Sequence, residues 1–509
     1  MINDMVIVSI TPEIGLNELK TYAGGLGVLE GDKLYGAGDL GLDYLVLSLF
    51  YRHGYVKYKF YGEEPIPEPE EQPDTAYDAL KPEPQFKIIL RGEEIIVQPW
   101  IYKYKTAKAV LFEAICPMWA RRLTDRVYVE DSIEHQFMRY AFLAKSAYSY
   151  LKNRVGFENI SIIDLQEAHT ALILLMMNNY DRIRIIIHTP GPWGHPGFPG
   201  DFIAREFGVF MGDYVILTEM ALEKLGKAIV VSKKQRDVIG KVFPRHRDKI
   251  SSITNGVYLK RWMHEELYKK YIENKLSIEE FKKTKPLIKN QLLEFIKQYK
   301  DNLAISDKPV IVWARRLARY KRPYFIARFI EENPDINALF VLGGKPHPRD
   351  NDGLNYARWF RRLHLRLANV VYIHDYDIHK ARILLQGGDI LLFTPFSGWE
   401  ACGTSYMKAL INGVPVLSSK DGGVIEVVED GVNGWLFGED IRDFINIYNN
   451  PRAQNIDEKD YEEFKNKLFK IIDLYNNDRE KYWEIAYNAI KMIPEKVSIK
   501  NMLKKYYIK

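Results

Sequence analysis

Between residues 309 and 418 the chain repeats one pattern, a short apolar run followed by a longer stretch of helical period. The apolar runs are Pro309–Trp313, Ala338–Leu342, Val370–His374, Ile390–Phe393 and Pro415–Ser418. Runs this short are too brief for helices, and without polar alternation they suit strands buried on both faces. Strands of that kind separated by helical segments pair parallel, because each connection has to cross the sheet. The rhythm therefore predicts a doubly wound parallel sheet. The first half carries the same signature less evenly, with strands at Val6–Ile10, Tyr44–Tyr51, Ile160–Leu165, Arg184–His188, Lys227–Ser232 and Ile250–Thr254. Helical runs at Val28–Leu42 and Asp131–Leu151 lie between them, and Phe86–Ile115 alternates as an inserted β meander. The Pro- and Glu-rich stretch Gly62–Pro84 reads as an exposed loop.

A chain of 509 residues is too long for one core. The expected division is a first α/β domain over 1–300, ending in the charged helical segment Lys275–Asp301, a second over 301–485, and a helical tail over 486–509 that can pack back on the first. A net charge of +5 with scattered lysines gives no stripe for nucleic acid, though anionic small substrates would be welcome. No apolar run is long enough to span a bilayer, so no membrane partner is expected. Two cysteines are too few for a disulfide framework or a zinc cluster, and no metal is expected. The N-terminus reads as a first strand rather than a secretion signal, which makes the cytoplasm the expected location.

Chemistry concentrates at the ends of the second-half strands, where open α/β sheets hold their ligands. After Val310–Trp313 come Arg315, Arg316, Arg319, Lys321 and Arg322, five cations in eight positions. Such a run is commonly a solvated face. Its start at a strand end points instead to phosphate, which Arg meets with a planar fork of donors and Lys with a point charge. After Ile390–Phe393 the segment Phe396–Gly413 reads as a glycine-bearing turn and a helix start. Thr404 or Ser405 can cap that helix, and Asn412-Gly413 can close it. A helix start of this kind suits an anion. Glu400 precedes Lys408 by eight residues, and Lys408 lies about one helical turn from Thr404, among the apolar Met407, Ala409 and Leu410. Apolar surroundings disfavour the ammonium and so favour the neutral amine, the state that carbonyl chemistry at a lysine requires. A pyridoxal phosphate tethered there could lay its phosphate back toward the helix start. In the first half Gly24, Gly25 and Gly27 crowd one turn, as a structural bend or as a ligand cradle, and the GxGxxG spacing of a dinucleotide site is absent.

Taken in order, these motifs resemble the α-glucan (glycogen, starch, maltodextrin) phosphorylase family, retaining glycosyltransferases of the two-Rossmann GT-B architecture with the active site in the cleft between the domains. The likeness runs from Glu13-Ile-Gly15 and Tyr22–Asp32 through Tyr51–Tyr55, Glu167-Ala-His-Thr170, His188-Thr-Pro190, Gly194-His195 and Thr254–Val257. It continues through Ala314-Arg-Arg316, Tyr320-Lys-Arg322, His374–Asp377 and Glu400–Gly413. The resemblance implies that Lys408 tethers pyridoxal 5'-phosphate, with Arg315, Thr404 and Ser405 near the cofactor phosphate. It implies Arg316 and Lys321 on the substrate phosphate, and Gly24 and Gly25 as backbone donors to the phosphates. Glu400, the Gly403 amide, Tyr320, Asn255 and His188 would bind the terminal glucose, and His169 and Glu167 would line the same pocket. The implied reaction is phosphorolysis of the non-reducing end of an α-1,4-glucan or maltooligosaccharide, in which the cofactor phosphate is proton donor and inorganic phosphate yields glucose 1-phosphate with retention. Homodimers are usual in the family, and a chain this short argues against control through an N-terminal extension.

Three residues depart from the family pattern. Cys402 stands where serine is common, Tyr406 where asparagine or glycine is, and Trp399 precedes Glu400. A second class on the same fold, the nucleotide-sugar transferases similar to glycogen and starch synthases, carries two glutamates with seven residues between them. Glu400 fits the first position and Lys408 occupies the second, where a cation cannot accept a ribose hydroxyl. An inactive glucan-binding homologue is the third reading.

Overall fold

The structure, a computed structural model, describes residues 5–301, 303 and 307–508. The chain divides into two compact units, one built from the residues up to Tyr55, Pro69–Thr254 and Met502 onward, the other from Val56–Glu68 and Asn255–Asn501.

In the first unit Val6–Ile10 lies at the centre of the sheet, flanked by Tyr44–Leu49 and Ile160–Gln166. Outward from Ile160–Gln166 run Ile183–Ile187, Ala228–Val230 and Ile250–Ser252, all parallel. On the other side Ala107–Cys116 pairs parallel with Tyr44–Leu49. Glu93–Tyr104 then pairs antiparallel with that strand and Phe86–Leu90 with Glu93–Tyr104, so the meander extends the main sheet rather than standing apart. The parallel strands order as 3-2-1-4-5-6-7 in chain sequence.

The second unit repeats the plan. Its six parallel strands order as Val370–Ile373, Leu339–Gly343, Val310–Ala314, Ile390–Phe393, Val416–Ser419 and Trp435–Phe437. That is the 3-2-1-4-5-6 arrangement of dinucleotide-binding sheets, whose direction reverses beside the first strand. Trp435–Phe437 has only three residues between Gly434 and Gly438, too short to register as a strand in sequence. Two Rossmann-like units in one chain give an α/β protein of the GT-B class.

The boundary falls after Thr254 rather than at 300. The long helix Ile278–Lys297 buries Phe281, Ile288, Leu292 and Ile296, and it packs on Ile378–Gly387 and Arg479–Met492 of the second unit. Of the tail, only the last residues join the first unit. There the Tyr507 hydroxyl donates to Asp164 Oδ2 at 2.6 Å, and the Arg184 guanidinium lies 5.3 and 5.4 Å from the Tyr506 and Tyr507 rings.

The Pro- and Glu-rich stretch is partly a hairpin, which corrects its reading as a loop. Lys57–Tyr61 pairs antiparallel with Glu64–Glu68, Phe60 opposite Pro65 and Tyr58 opposite Pro67. A two-stranded ribbon leaves one row of N–H groups unused, and prolines at alternate positions sit there without losing a bond. Arg358 grips Glu64 at 2.7 Å and Arg362 grips Glu63 at 2.9 Å, tying the hairpin to the helix Asn351–Arg366. No helix among the described residues is long and apolar enough to cross a membrane.

Candidate active site

In the second unit Val310–Ala314 and Ile390–Phe393 are neighbours, so the segments leaving their carboxyl ends meet. Arg315 Nη2 donates to Glu400 Oε2, and Lys321 Nζ lies 3.6 Å from the same oxygen. The Arg315 guanidinium also lies 3.9 Å above the Phe393 ring, and its Nη1 is buried with no hydrogen-bond partner. Burial alone would push the Glu400 carboxyl up, but Lys321, Arg315 and Arg316 hold it below the usual carboxylate range. Burial, reinforced by Arg315, pulls the Lys321 ammonium down to about 7 against the opposing pull of Glu400. Tyr320 stacks on Trp399 with centroids 5.9 Å apart, and burial raises its phenol.

Glu400 is fixed through its backbone. Asp421 Oδ2 accepts from the Glu400 N–H at 2.7 Å and Oδ1 accepts from the Gly398 N–H at 2.8 Å. Gly403 has φ +54, and a Cβ there would sit 2.6 Å from Phe393 Cζ, so no side chain fits.

The helix Ser405–Leu410 carries Lys408. Thr404 makes no side-chain cap, and the Ser405 hydroxyl is buried without a partner, so neither expected capping bond forms. The helix closes at Gly413 in the left-handed region, φ +64. Asn412 Nδ2 donates to the Lys408 and Trp262 carbonyls at 2.8 and 2.9 Å. The Lys408 ammonium is buried 3.8 Å above the Trp262 ring centroid. The Asn255 N–H reaches the Cys402 sulfur, whose thiol burial pushes up to about 12, and Asn255 Oδ1 is buried without a partner.

The five-cation run does not act as one group. Arg315, Arg316 and Lys321 surround Glu400. Arg319 instead lies 3.8 Å from Asp352 and 5.0 Å from the Tyr448 ring centroid. Arg322 is fully buried, donating to the Thr394 and Pro395 carbonyls and to Asp457 and Asp460. It is a structural cation, and the strand-end position that suggested a ligand role instead places it inside the core.

In the first unit the glycine turn holds a carboxylate of the chain itself. The Ala23 and Gly24 N–H groups donate to Glu13 Oε2 at 2.5 and 3.2 Å, so the Gly24 donor expected for phosphate is engaged. A Cβ on Gly25 would meet nothing within 4 Å. Glu167 adopts φ +67, rare for a residue with a side chain, and burial pushes its carboxyl up to about 8. Thr189 Oγ1 donates to Glu167 Oε1 at 2.5 Å, and Oε2 is buried without a partner. His169 packs edge-on against Tyr140 at 4.9 Å, and burial pulls it down to about 4. His188 Nε2 lies 2.8 Å from Gln166 Oε1, and burial with Lys33 keeps the ring neutral.

The family model for group 1 glycosyl transferases matches residues 295–449, a span that includes Arg315 through Lys408. Over nearly the whole chain there is likeness to a maltodextrin phosphorylase of Thermococcus litoralis, 25% identical and covering 98% of this chain and 70% of that one. A glycogen phosphorylase of Aquifex aeolicus is 25% identical over 85% of this chain and 76% of its own. The chain is similar to these phosphorylases over most of its length. A protein of Methanocaldococcus jannaschii named only as uncharacterized is also 25% identical, over 96% of both chains.

Two residues stand out that the sequence did not reveal, Trp262 under Lys408 and Asp421 behind Glu400, and Glu13, named in sequence only as part of a motif, proves to occupy the glycine turn. Glu13 carried a faint signal in its place just after the first strand. Trp262 and Asp421 carried none, because each meets its partner far along the chain.

Proposed function

We propose that this protein is an α-1,4-glucan phosphorylase, releasing α-D-glucose 1-phosphate from the non-reducing end of glycogen or maltodextrin with retained configuration. One observation carries the reading. A buried lysine, Lys408, follows a helix start whose Ser405 hydroxyl, like the nearby guanidinium Nη1 of Arg315, is buried without a partner. Those groups fit pyridoxal 5'-phosphate, with Lys408 as tether and Thr404, Ser405 and Arg315 toward its phosphate. When bound, the cofactor supplies a phosphate that can give and take a proton near neutral pH.

The chain's own residues do the rest. Arg316 and Lys321 hold the substrate phosphate. An arriving anion favours the charged form of Lys321, so binding itself completes the cation. Glu400 stays ionised beside Arg315 and Lys321 and accepts from sugar hydroxyls, its place set by Asp421. Asn255 Oδ1, the Gly403 amide and Tyr320 serve the same sugar. His188, His169 and Glu167 are kept as sugar-binding groups, Glu167 as a donor while it holds its proton. Gly25 is favoured over Gly24 as a phosphate donor, because Gly24 already serves Glu13.

The test is to supply pyridoxal phosphate, reduce with borohydride and map the pyridoxyl adduct, then assay maltodextrin plus phosphate for glucose 1-phosphate. An adduct on Lys408 with product release is expected, and no adduct on Lys408 would overturn the reading. The group 1 glycosyl transferase match supports one rival, sugar transfer from a nucleotide donor. That rival requires turnover of a nucleotide-linked glucose and no lysine adduct.

A further inference from the structure

The proposed reaction uses nothing on the helix Leu217–Lys224 of the first unit. Glu219 and Glu223 stand four apart on that helix and share a face. The turn Pro244–Lys249 packs against it and brings His246 alongside. One carboxylate oxygen from each glutamate and one ring nitrogen of His246 lie within 4.8 Å of one another.

Acidic pairs on helices are common and ordinarily recruit a lysine or arginine. Here neither carboxylate has an ion pair or hydrogen bond among the described residues. The nearby cations turn elsewhere. Lys249 Nζ donates to the Leu222 carbonyl at 2.6 Å, and Lys224 Nζ lies 3.5 Å from the Tyr180 hydroxyl. The imidazole is the independent sign of a ligand. His246 is only 9% exposed, and its Nε2 is buried with no hydrogen-bond partner. Two like charges held together and a buried, unsatisfied ring nitrogen each raise the free energy of the fold, and one cation relieves both.

We propose that Glu219, Glu223 and His246 form a binding site for a divalent transition cation of the zinc class. An imidazole with two carboxylates suits zinc, whereas magnesium and calcium prefer all-oxygen shells. Bonds of about 2.0–2.2 Å require the three ligand atoms to close in by roughly an ångström. The exposed Glu223 side chain supplies that movement, and solvent on its side provides a water as fourth ligand. The ion then bridges the helix and the turn, adding a second tie to the Lys249–Leu222 hydrogen bond between them.

The full-length chain, stripped with EDTA and dialysed, is titrated with zinc chloride by calorimetry and followed by thermal unfolding. One equivalent should bind and raise the unfolding midpoint. Glu223→Gln, exposed and harmless to folding, should weaken binding by at least about tenfold and abolish the rise, and excess magnesium should not compete. His246→Asn should act in the same way, its fold checked by circular dichroism. No binding up to about 1 mM zinc, or a titration unchanged in Glu223→Gln, would overturn the site.

Discussion

Replacing Glu400 by Gln isolates the electrostatics of the second-unit site without touching its packing. Glu400 Oε2 lies 3.6 Å from Lys321 Nζ. At an effective dielectric of about 20, a charge pair at that distance is worth on the order of 4–5 kcal/mol, roughly three pK units. Residual solvent and the second cation, Arg315, take a share, so a fall of about one to three units is expected. Lys321 starts at about 7, because burial and Arg315 already oppose its charge. Without the carboxylate it becomes a neutral amine at pH 7, while Arg315 keeps its charge. The assay is competitive acetylation of Lys321 across pH, read by peptide mass spectrometry with no phosphate present. The native chain should show a midpoint near 7, and Glu400→Gln one below about 6. A midpoint that stays put or rises in the variant would refute the coupling.

Other perturbations probe the frame. Arg322→Met should lower stability by about 3–5 kcal/mol in denaturant titrations, because it leaves the buried Asp460 without its 2.8 Å partner. Asp421→Ala strands the Gly398 and Glu400 amides at about 1–3 kcal/mol each, and should raise KM while leaving a pyridoxyl adduct on Lys408 in place. Gly413→Ala should cost about 1–3 kcal/mol, since its Cβ would lie 2.2 Å from Phe281 Cζ at φ +64. Glu167 holds its proton up to about pH 8 when folded, against 4.5 for the ordinary carboxyl. Its contribution to stability is fully present below pH 4.5 and is lost as pH rises through 8, so Glu167→Gln should flatten the pH dependence of the unfolding midpoint across that window.

The two sheets were legible because buried parallel strands leave unbroken apolar runs, and the turn bearing Glu400 and Lys408 was legible because glycines and a helix start stay together in sequence. Arg322 shows the limit: its neighbours Arg315, Arg316 and Lys321 gather at Glu400, yet its own position is decided by Asp457 and Asp460, more than a hundred residues away. Asp421 and Trp262 were hidden for the same reason, since partners set by tertiary contact leave no local period. The proline-rich hairpin misled because proline argues against strands in general, while an isolated two-stranded ribbon tolerates it at every second residue. Glu219 and Glu223 stand four apart in sequence, but His246 joins them only through the fold.

The division of the chain bears on how it is made. The first unit contains Met502 and the residues after it, whose Tyr507 meets Asp164 and Arg184. A polypeptide leaves the ribosome from its N-terminus at about 5–20 residues per second. The first unit therefore waits for the second to be synthesised before its last contacts can form, and Val56–Glu68, made early, waits in turn for Asn351–Arg366. Neither unit can be finished on a nascent chain stalled at residue 254, and a truncation there should expose apolar surface to chaperones rather than release a folded half.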